Sequence, residues 1–449
     1  MKKLIAMLLS LVLVMGTLVG CGNGDETGNN NENNEVSNEV GENKGSGKSW
    51  EELREEIPES LKGTTVTVYS WNAMNRVSGA VEAIEEFENQ TGIHVEWITA
   101  GYNEYATLLS SKVASDESPD IVRLRDADPA VIKILKPLED VNYDFTDAAW
   151  DQELMSHYKM NGKHYAAVLK DSPFYQPTIT YYNRTLIERY GLDDPYELWQ
   201  NGEWTWTKME EIIDAFLAAA GDQYQGLSMF CGCDYAWSLG SSMISYEPEE
   251  NAYKSHIGDV NLTKGWQYTV KNIERGRFSE ATYAYETFAA GMCLFYNDSS
   301  IDARNGHWYF AEMMDEGTLG TVPMPAVEGQ EEYYVALSEN EAYGIPTASK
   351  NSEAAAYFLR FYLDSASYDM TSFYCDEQAQ DVVEWCRGQK YITSMEQRIN
   401  GATCGAWNTE VHKKIKDTGI QQIQSVLDSF KPVLQTMEDS CNQMISNLK

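Results

Sequence analysis

The chain has 449 residues, with 69 acidic against 34 basic side chains and a formal net charge of −35. That balance excludes nucleic acid and anionic surfaces as natural partners and suits a soluble extracytoplasmic protein. The length excludes one ordinary core, since about 385 residues follow the leader and tether, enough for two sizeable domains.

Residues 1–20 read as a signal peptide. Lys2 and Lys3 form the positive start, and Leu4 to Val14 supply a short apolar stretch. The ending Leu18-Val19-Gly20-Cys21 resembles the bacterial lipobox, which implies lipidation of Cys21 and an anchor of at least two acyl chains. No second apolar run of transmembrane length follows, so the mature chain is expected to be tethered to the membrane rather than to span it. Residues 21–63 read as the lipidated cysteine and a solvated tether rich in Asn, Gly, Glu and Ser, closing on the short helical lead-in "SWEELREEIPESLKG". Within it "GSGKS" imitates a phosphate-binding loop. Glu42 stands where that loop needs its first glycine and no strand precedes it, so no nucleotide site is expected.

The folded body is expected from about Thr64. "TVTVYSWN", Thr65 to Asn72, alternates β-favouring residues and then breaks into an aromatic and an amide. Val77, Ala80, Val81, Ile84 and Phe87 predict a helix that Gly92 stops, and "IHVEWIT" is the next strand. "YNEYATLLSSKVASD" predicts a helix, Pro119-Asp120-Ile121-Val122 a short buried strand, and "DPAVIKILKPL" another helix. Strands and helices alternating in this way predict a parallel sheet covered on both faces. Asn161-Gly162 is a hairpin signal, "TITYYN" a strand, and Thr207 with Glu210 a capping box ahead of "MEEIIDAFLAAA". "MCLFYND" and "GTVPMP" return to strand patterning, and "EAYGIPTAS" precedes the helix "NSEAAAYFLRFYLDS". Apolar residues from Ile420 to Met444 step by threes and fours, predicting a C-terminal helix with a kink at Pro432. Seven cysteines remain beyond Cys21. Cys231 and Cys233 are too close for an easy bridge, and buried free thiols are expected for most of the rest, with a C-terminal disulfide as the alternative.

This order of segments resembles the extracellular solute-binding proteins of bacterial ABC importers, in particular their large sugar-binding cluster. The carriers are "TVTVYSWN" with "AVEAIEEFENQTGIHVEW", "SPDIV", "NGKHYAAV", "TYYNRTLIERYGLDDP" with "GEWTWTKMEEI", "FAAGMCLFYND" and "GIPTASKNSEAAAYFLRFYL". The resemblance implies an α/β fold of two lobes, each a mainly parallel sheet flanked by helices, with the ligand in the cleft between them. It implies a division into 64–165 with 296–340 as the first lobe and 166–295 with 341–449 as the second. It also implies a monomer that closes on its solute and hands it to membrane permease subunits and their ATPase.

Sugars present an apolar C–H face and a rim of hydroxyls, which suit aromatic rings and polar or charged side chains respectively. The 12 Trp and 28 Tyr fit such surfaces, although most aromatics in any fold are core. Trp71 and Asn72 end the first parallel strand, and Arg125 with Asp126 end the strand at "PDIV", where open sheets present ligands. Asp171 lies where the first crossing enters the second lobe implied by the resemblance. Tyr235 and Trp237 open a helix in a region where relatives stack an aromatic on the sugar. Asp298, beside Asn297, ends the return strand, Trp308 lies soon after, and Trp407 sits on a Gly-flanked loop near which several relatives carry a stacking tryptophan. Trp204 and Trp206 match a motif that is structural in the family.

Other classes are thinner. A glycan-degrading enzyme needs paired carboxylates, but with 69 acidic residues such pairs arise by chance. The chain has no Gly-x-Ser-x-Gly, His-Glu-x-x-His or CxxC motif, and six histidines supply a zinc site poorly. No catalysis, cofactor or metal is therefore expected. A peptide, polyamine or metal complex as solute stays open, as does a sensor or adhesion role.

Overall fold

The computed structural model describes residues 47–74, 78–101, 104–115, 117–124, 128–229, 233–279, 284–304, 309–337, 342–393, 410–411, 413–415 and 417–448. The signal peptide, Cys21 and nearly all of the tether lie outside them. The described body begins earlier than Thr64. Ser49 and Glu52 cap the helix Trp50–Glu56 reciprocally, so the serine of "GSGKS" serves a helix start. Trp50 and Leu53 are buried, with the Trp50 ring 4.9 Å from Phe361 and 5.9 Å from Phe87. The lead-in is thus part of the core because its apolar face finds a partner on the helix Ser352–Tyr362.

Fourteen strands among the described residues, numbered in chain order, form two four-stranded sheets and three small pairs. The first sheet runs β13-β3-β1-β2, with β1 (Thr65–Ser70) parallel to β2 (His94–Thr99) and to β3 (Ile121–Leu124). β13 (Ala342–Gly344) adds antiparallel to β3, with Tyr343 opposite Arg123. The predicted helix after β1 spans Ala80–Thr91 and stops at Gly92, whose φ of 70° is easy only for glycine.

The second sheet runs β11-β6-β10-β7: β11 (Leu319–Pro323), β6 (Thr178–Asn183), β10 (Cys293–Ser299) and β7 (Gln225–Ser228). Only β10 and β7 pair in parallel; β6 is antiparallel to both neighbours. This sheet is therefore mixed rather than mainly parallel. The strand pairing also departs from the expected division of the chain. β10 and β11 were expected with the first lobe from residue 296 onward, yet both hydrogen-bond to β6. β13 was expected with the second lobe, yet it pairs with β3. Ladder partners are set by long-range register, which neither local periodicity nor segment order carries.

β6 shows why this sheet is covered twice. Tyr181 faces the larger core, and its neighbour Tyr182 faces a smaller core with Trp204, Trp206, Ile213, Phe216 and Phe295. Trp204 and Trp206 are core, in keeping with a structural motif. The cap of the helix Trp206–Ala220 is Thr205, whose hydroxyl accepts from Lys208 N (3.1 Å), and not Thr207. Thr207 N donates instead to Glu328 (2.8 Å), and Glu210 turns to Asn272 and Arg277.

The Asn161-Gly162 hairpin forms as predicted, joining β4 (Lys159–Met160) and β5 (Lys163–His164) with φ of 52° and 80° at its two turn residues. A second hairpin joins β8 (Ile244–Glu247) and β9 (Ala252–Ser255), and β12 (Tyr334–Leu337) pairs in parallel with β14 (Lys390–Thr393). The C-terminal helix Ile423–Ser446 runs on through Pro432. Cys293, Cys375 and Cys386 are free thiols, and burial pushes Cys293 and Cys375 up to about 12. Cys231 and Cys404 lie outside the described residues.

Candidate functional site

Parallel strands bring their C-terminal ends to one edge, and at that edge of the first sheet every neighbour of β1 contributes a side chain. Trp71 follows directly on β1. Its ring has the guanidinium of Arg123, from β3, 4.2 Å from its centroid, and its edge meets Tyr105 at 5.0 Å, nearly perpendicular. Tyr105, from the helix Tyr105–Ala114, shares its hydroxyl between the carbonyls of Arg123 (2.7 Å) and Tyr69 (3.1 Å), and so staples β1 to β3. Trp97 of β2 donates its indole N–H to the Asn72 carbonyl (2.9 Å), and Asn72 N donates to Ser70 Oγ (3.2 Å). Three elements thus fix Trp71 and Asn72 in one geometry.

The tryptophan is only 8 % exposed and Arg123 only 2 %. Burying a guanidinium carries a desolvation cost of several kcal/mol, and a cation facing a ring returns about 2 kcal/mol when desolvated. Arg123 was not singled out from the sequence. Its signal is a charged residue inside "IVRL", a strand whose four residues are all buried. Arg125 and Asp126 lie outside the described residues.

At the corresponding edge of the second sheet, the residues form buried polar chains. Thr180 donates to Asn297 Oδ1 (2.8 Å), and Asn297 Nδ2 donates to Asp234 (2.9 Å) at the start of the helix Asp234–Ser238. Asp298 accepts from Tyr296 (2.7 Å) and from Ser299 N (2.7 Å) within β10. The predicted Asp298 is thus an interior residue of the sheet.

Tyr235 is half-buried, stacked on Tyr268 at 3.7 Å and edge-on to Trp206 at 5.3 Å. Burial raises its phenol pKa, and Glu328 and Glu210 push the same way. Trp237, on the next turn position, is 1 % exposed and belongs to the core. Asp171 is exposed on a turn at φ 52°, one residue before Ser172, whose carbonyl accepts from Arg387 (2.9 Å). Trp308 and Trp407 lie outside the described residues. A cavity of about 110 Å³ lies between Ser238 and the loop from Pro325 to Tyr334, lined also by Gln330 and Glu332.

Among the described residues no group of three or more His, Cys, Asp or Glu side chains is placed to hold a metal. Among the same residues no helix is long and apolar enough to cross a membrane.

A family model described as bacterial extracellular solute-binding protein matches residues 71–368, well over half of the chain. No curated protein matches the sequence. Among solved structures, an ABC substrate-binding protein from Listeria monocytogenes in complex with cycloalternan shares 17 % identity at a TM-score of 0.57, covering 85 % of this chain and 99 % of its own. The GacH receptor of Streptomyces glaucescens, solved unliganded and with acarbose, shares 14 % at 0.57, covering 86 % and 99 %. The cyclic α-maltosyl-1,6-maltose binding protein of Arthrobacter globiformis shares 16 % at 0.56, again covering 86 % and 99 %. At these identities the likeness is one of fold.

Proposed function

The chain belongs to the bacterial extracellular solute-binding protein family, and from that premise we propose that it captures an extracellular carbohydrate for an ABC importer. The observation that carries the carbohydrate reading is the fixed pair Trp71 and Asn72 at the ligand edge of β1. It sets an aromatic ring, with Arg123 over one face, beside the side-chain amide of Asn72, the kinds of group that suit a sugar's C–H patch and hydroxyl rim. The Listeria neighbour was solved with cycloalternan and the Streptomyces one with acarbose, and the Arthrobacter one is a cyclic α-maltosyl-1,6-maltose binding protein, which supports an oligosaccharide as the solute.

In this reading the lobes close on the solute by a hinge, and only a ligand that touches both lobes favours the closed state. A membrane permease and its ATPase then receive the sugar. Cys21 carries the lipid anchor, and the protein acts as a monomer without catalysing a reaction. Asn72, Arg125 and Asp126 would join Trp71 on the first lobe. Asp171, Tyr235, Trp308 and Trp407 are the second-lobe candidates, while the burial of Trp237 and Asp298 suits support better than contact.

Thermal-shift screening of mono- and oligosaccharides against peptides and polyamines tests the reading, because ligand at 100 times Kd stabilises by about 2.7 kcal/mol. A carbohydrate is expected to raise Tm. A peptide or polyamine that raises it while no carbohydrate does would sink the proposal.

A further inference from the structure

Tyr309 is 40 % exposed, and no other aromatic among the described residues reaches that exposure. Its ring is nevertheless held in place. It lies on the ring of Tyr285, with centroids 4.1 Å apart and planes at 31°. Tyr285 opens the helix Tyr285–Ala289, directly after Ala284, whose N–H donates to Ser228 Oγ (3.2 Å) at the C-terminal end of β7. The pair is therefore anchored at the same edge of the second sheet that presents Asp234 and Asn297.

Behind the pair stands a rigid pile of rings. Phe310 lies edge-on to Phe288 (5.0 Å), Tyr296 (5.5 Å) and Tyr181 (5.5 Å), so β6 and β10 are linked by aromatic contacts to the surface at Tyr309. Leaving an ordered ring in water forfeits the gain of burying it, about 25 cal/mol per Å² of apolar surface. A tyrosine supported in this way loses little side-chain freedom when a flat apolar partner lands on it. The C–H face of a sugar ring is such a partner.

We propose that Tyr309, backed by Tyr285, is a carbohydrate-stacking residue of the second lobe. The proposal rests on the carbohydrate reading above and assigns a contact on the second lobe to match Trp71 on the first. The test is calorimetric titration of the wild type, Tyr309→Ala and Tyr309→Phe with maltose, maltotetraose and cycloalternan, with Tm measured without ligand. For the glycan that the wild type binds best, Tyr309→Ala should weaken affinity about five- to tenfold, and Tyr309→Phe should stay within about twofold. Tm without ligand should fall by no more than a few degrees in Tyr309→Ala, which loses the contact with Tyr285, and should not move in Tyr309→Phe. Wild-type affinity in Tyr309→Ala, for a glycan that the wild type binds, overturns this inference alone. A wild type that binds none of the three sugars but binds a peptide or polyamine overturns both it and the carbohydrate reading.

Discussion

Asn161 and Asn251 clasp each other across two hairpin turns. Asn161 N donates to Asn251 Oδ1 (2.8 Å), and Asn251 Nδ2 returns a bond to Asn161 Oδ1 (3.0 Å). Both residues have left-handed backbones, at φ 52° and 51°. Asn161 Nδ2 also donates to the carbonyl of Ile445 (2.9 Å), which draws the end of the C-terminal helix into the same junction. Asn251→Gly should lose the clasp while keeping the backbone relaxed, at a cost of about 1 kcal/mol. Asn251→Ala adds the left-handed strain and should cost about 2–3 kcal/mol. Guanidinium unfolding of both variants checks this, and equal losses would remove the strain from the account.

That junction also marks where sequence reading stops. Asn161-Gly162 announces its own turn, because two successive positive φ values admit few residues. Likewise the alternation in "TVTVYS" and the glycine at 92 are local signals, and the strand and helix they predict are present. Nothing local in Asn251 points to Asn161, 90 positions away, and the same holds for β10 and β11 joining β6. At the candidate site, the place of Trp71 at the end of β1 is legible because it interrupts a strand pattern. Arg123 beneath it is not, since its role depends on which strand lies beside β1. The burial of Trp237 likewise depends on packing that a short helix cannot reveal.

His157 gives the acid response of the fold a defined origin. Its ring lies against Tyr391 (5.2 Å), and Nδ1 is enclosed without a hydrogen-bond partner. Burial pushes the imidazole down to about 4, with Glu247 opposing weakly. The unfolded chain therefore takes up this proton first, near pH 6.5. The contribution, at most roughly 3 kcal/mol, is complete above pH 6.5 and is lost as pH falls toward 4. Glu247 follows at lower pH: the His256 hydrogen bond, then Ser245, holds it at about 2, so its share persists until pH falls below its ordinary range. His256 has the opposite sense, because the same Glu247 bond raises its pKa. Its share is present below pH 6.5 and is lost as pH rises through the elevated value. Chemical unfolding between pH 7 and pH 4 should show stability falling, and His157→Phe should flatten that slope. An unchanged slope in the variant would assign the acid response elsewhere.

Gly265 sets how closely two helices approach. It lies in the helix Val260–Glu274, and a Cβ there would sit 2.4 Å from Ala236 Cβ, 2.7 Å from its Cα and 2.9 Å from its N. Ala236 lies between Tyr235 and Trp237, so displacing it shifts both rings. Gly265→Ala should destabilise by about 2–3 kcal/mol, because the clash is with backbone and cannot be relieved by a rotamer. Adding Ala236→Gly removes one of the three close contacts and should recover only part of the loss. Full recovery in the double variant would show that the methyl contact alone sets the spacing.

Trp71 and Arg123 offer the sharpest test of whether the ligand edge of β1 is a binding surface or plain core. If the ring serves only packing, a smaller apolar side chain as in Trp71→Leu should lower stability and leave glycan affinity alone. If it meets a sugar, the same change should cost at least about tenfold in affinity, with stability falling by only about 1–2 kcal/mol. Arg123→Met separates the two roles further. It keeps an apolar body under the ring but removes the cation, so the Trp71–Arg123 coupling should appear as about 1 kcal/mol in a double-mutant cycle of unfolding. Affinity for the sugar identified by the thermal screen should fall in Arg123→Met by a few-fold, because the ring loses the partner that orients it. A cycle showing no coupling would mean that Tyr105 and the strand end alone hold Trp71. A drop in stability with unchanged glycan affinity for Trp71→Leu would make the tryptophan core.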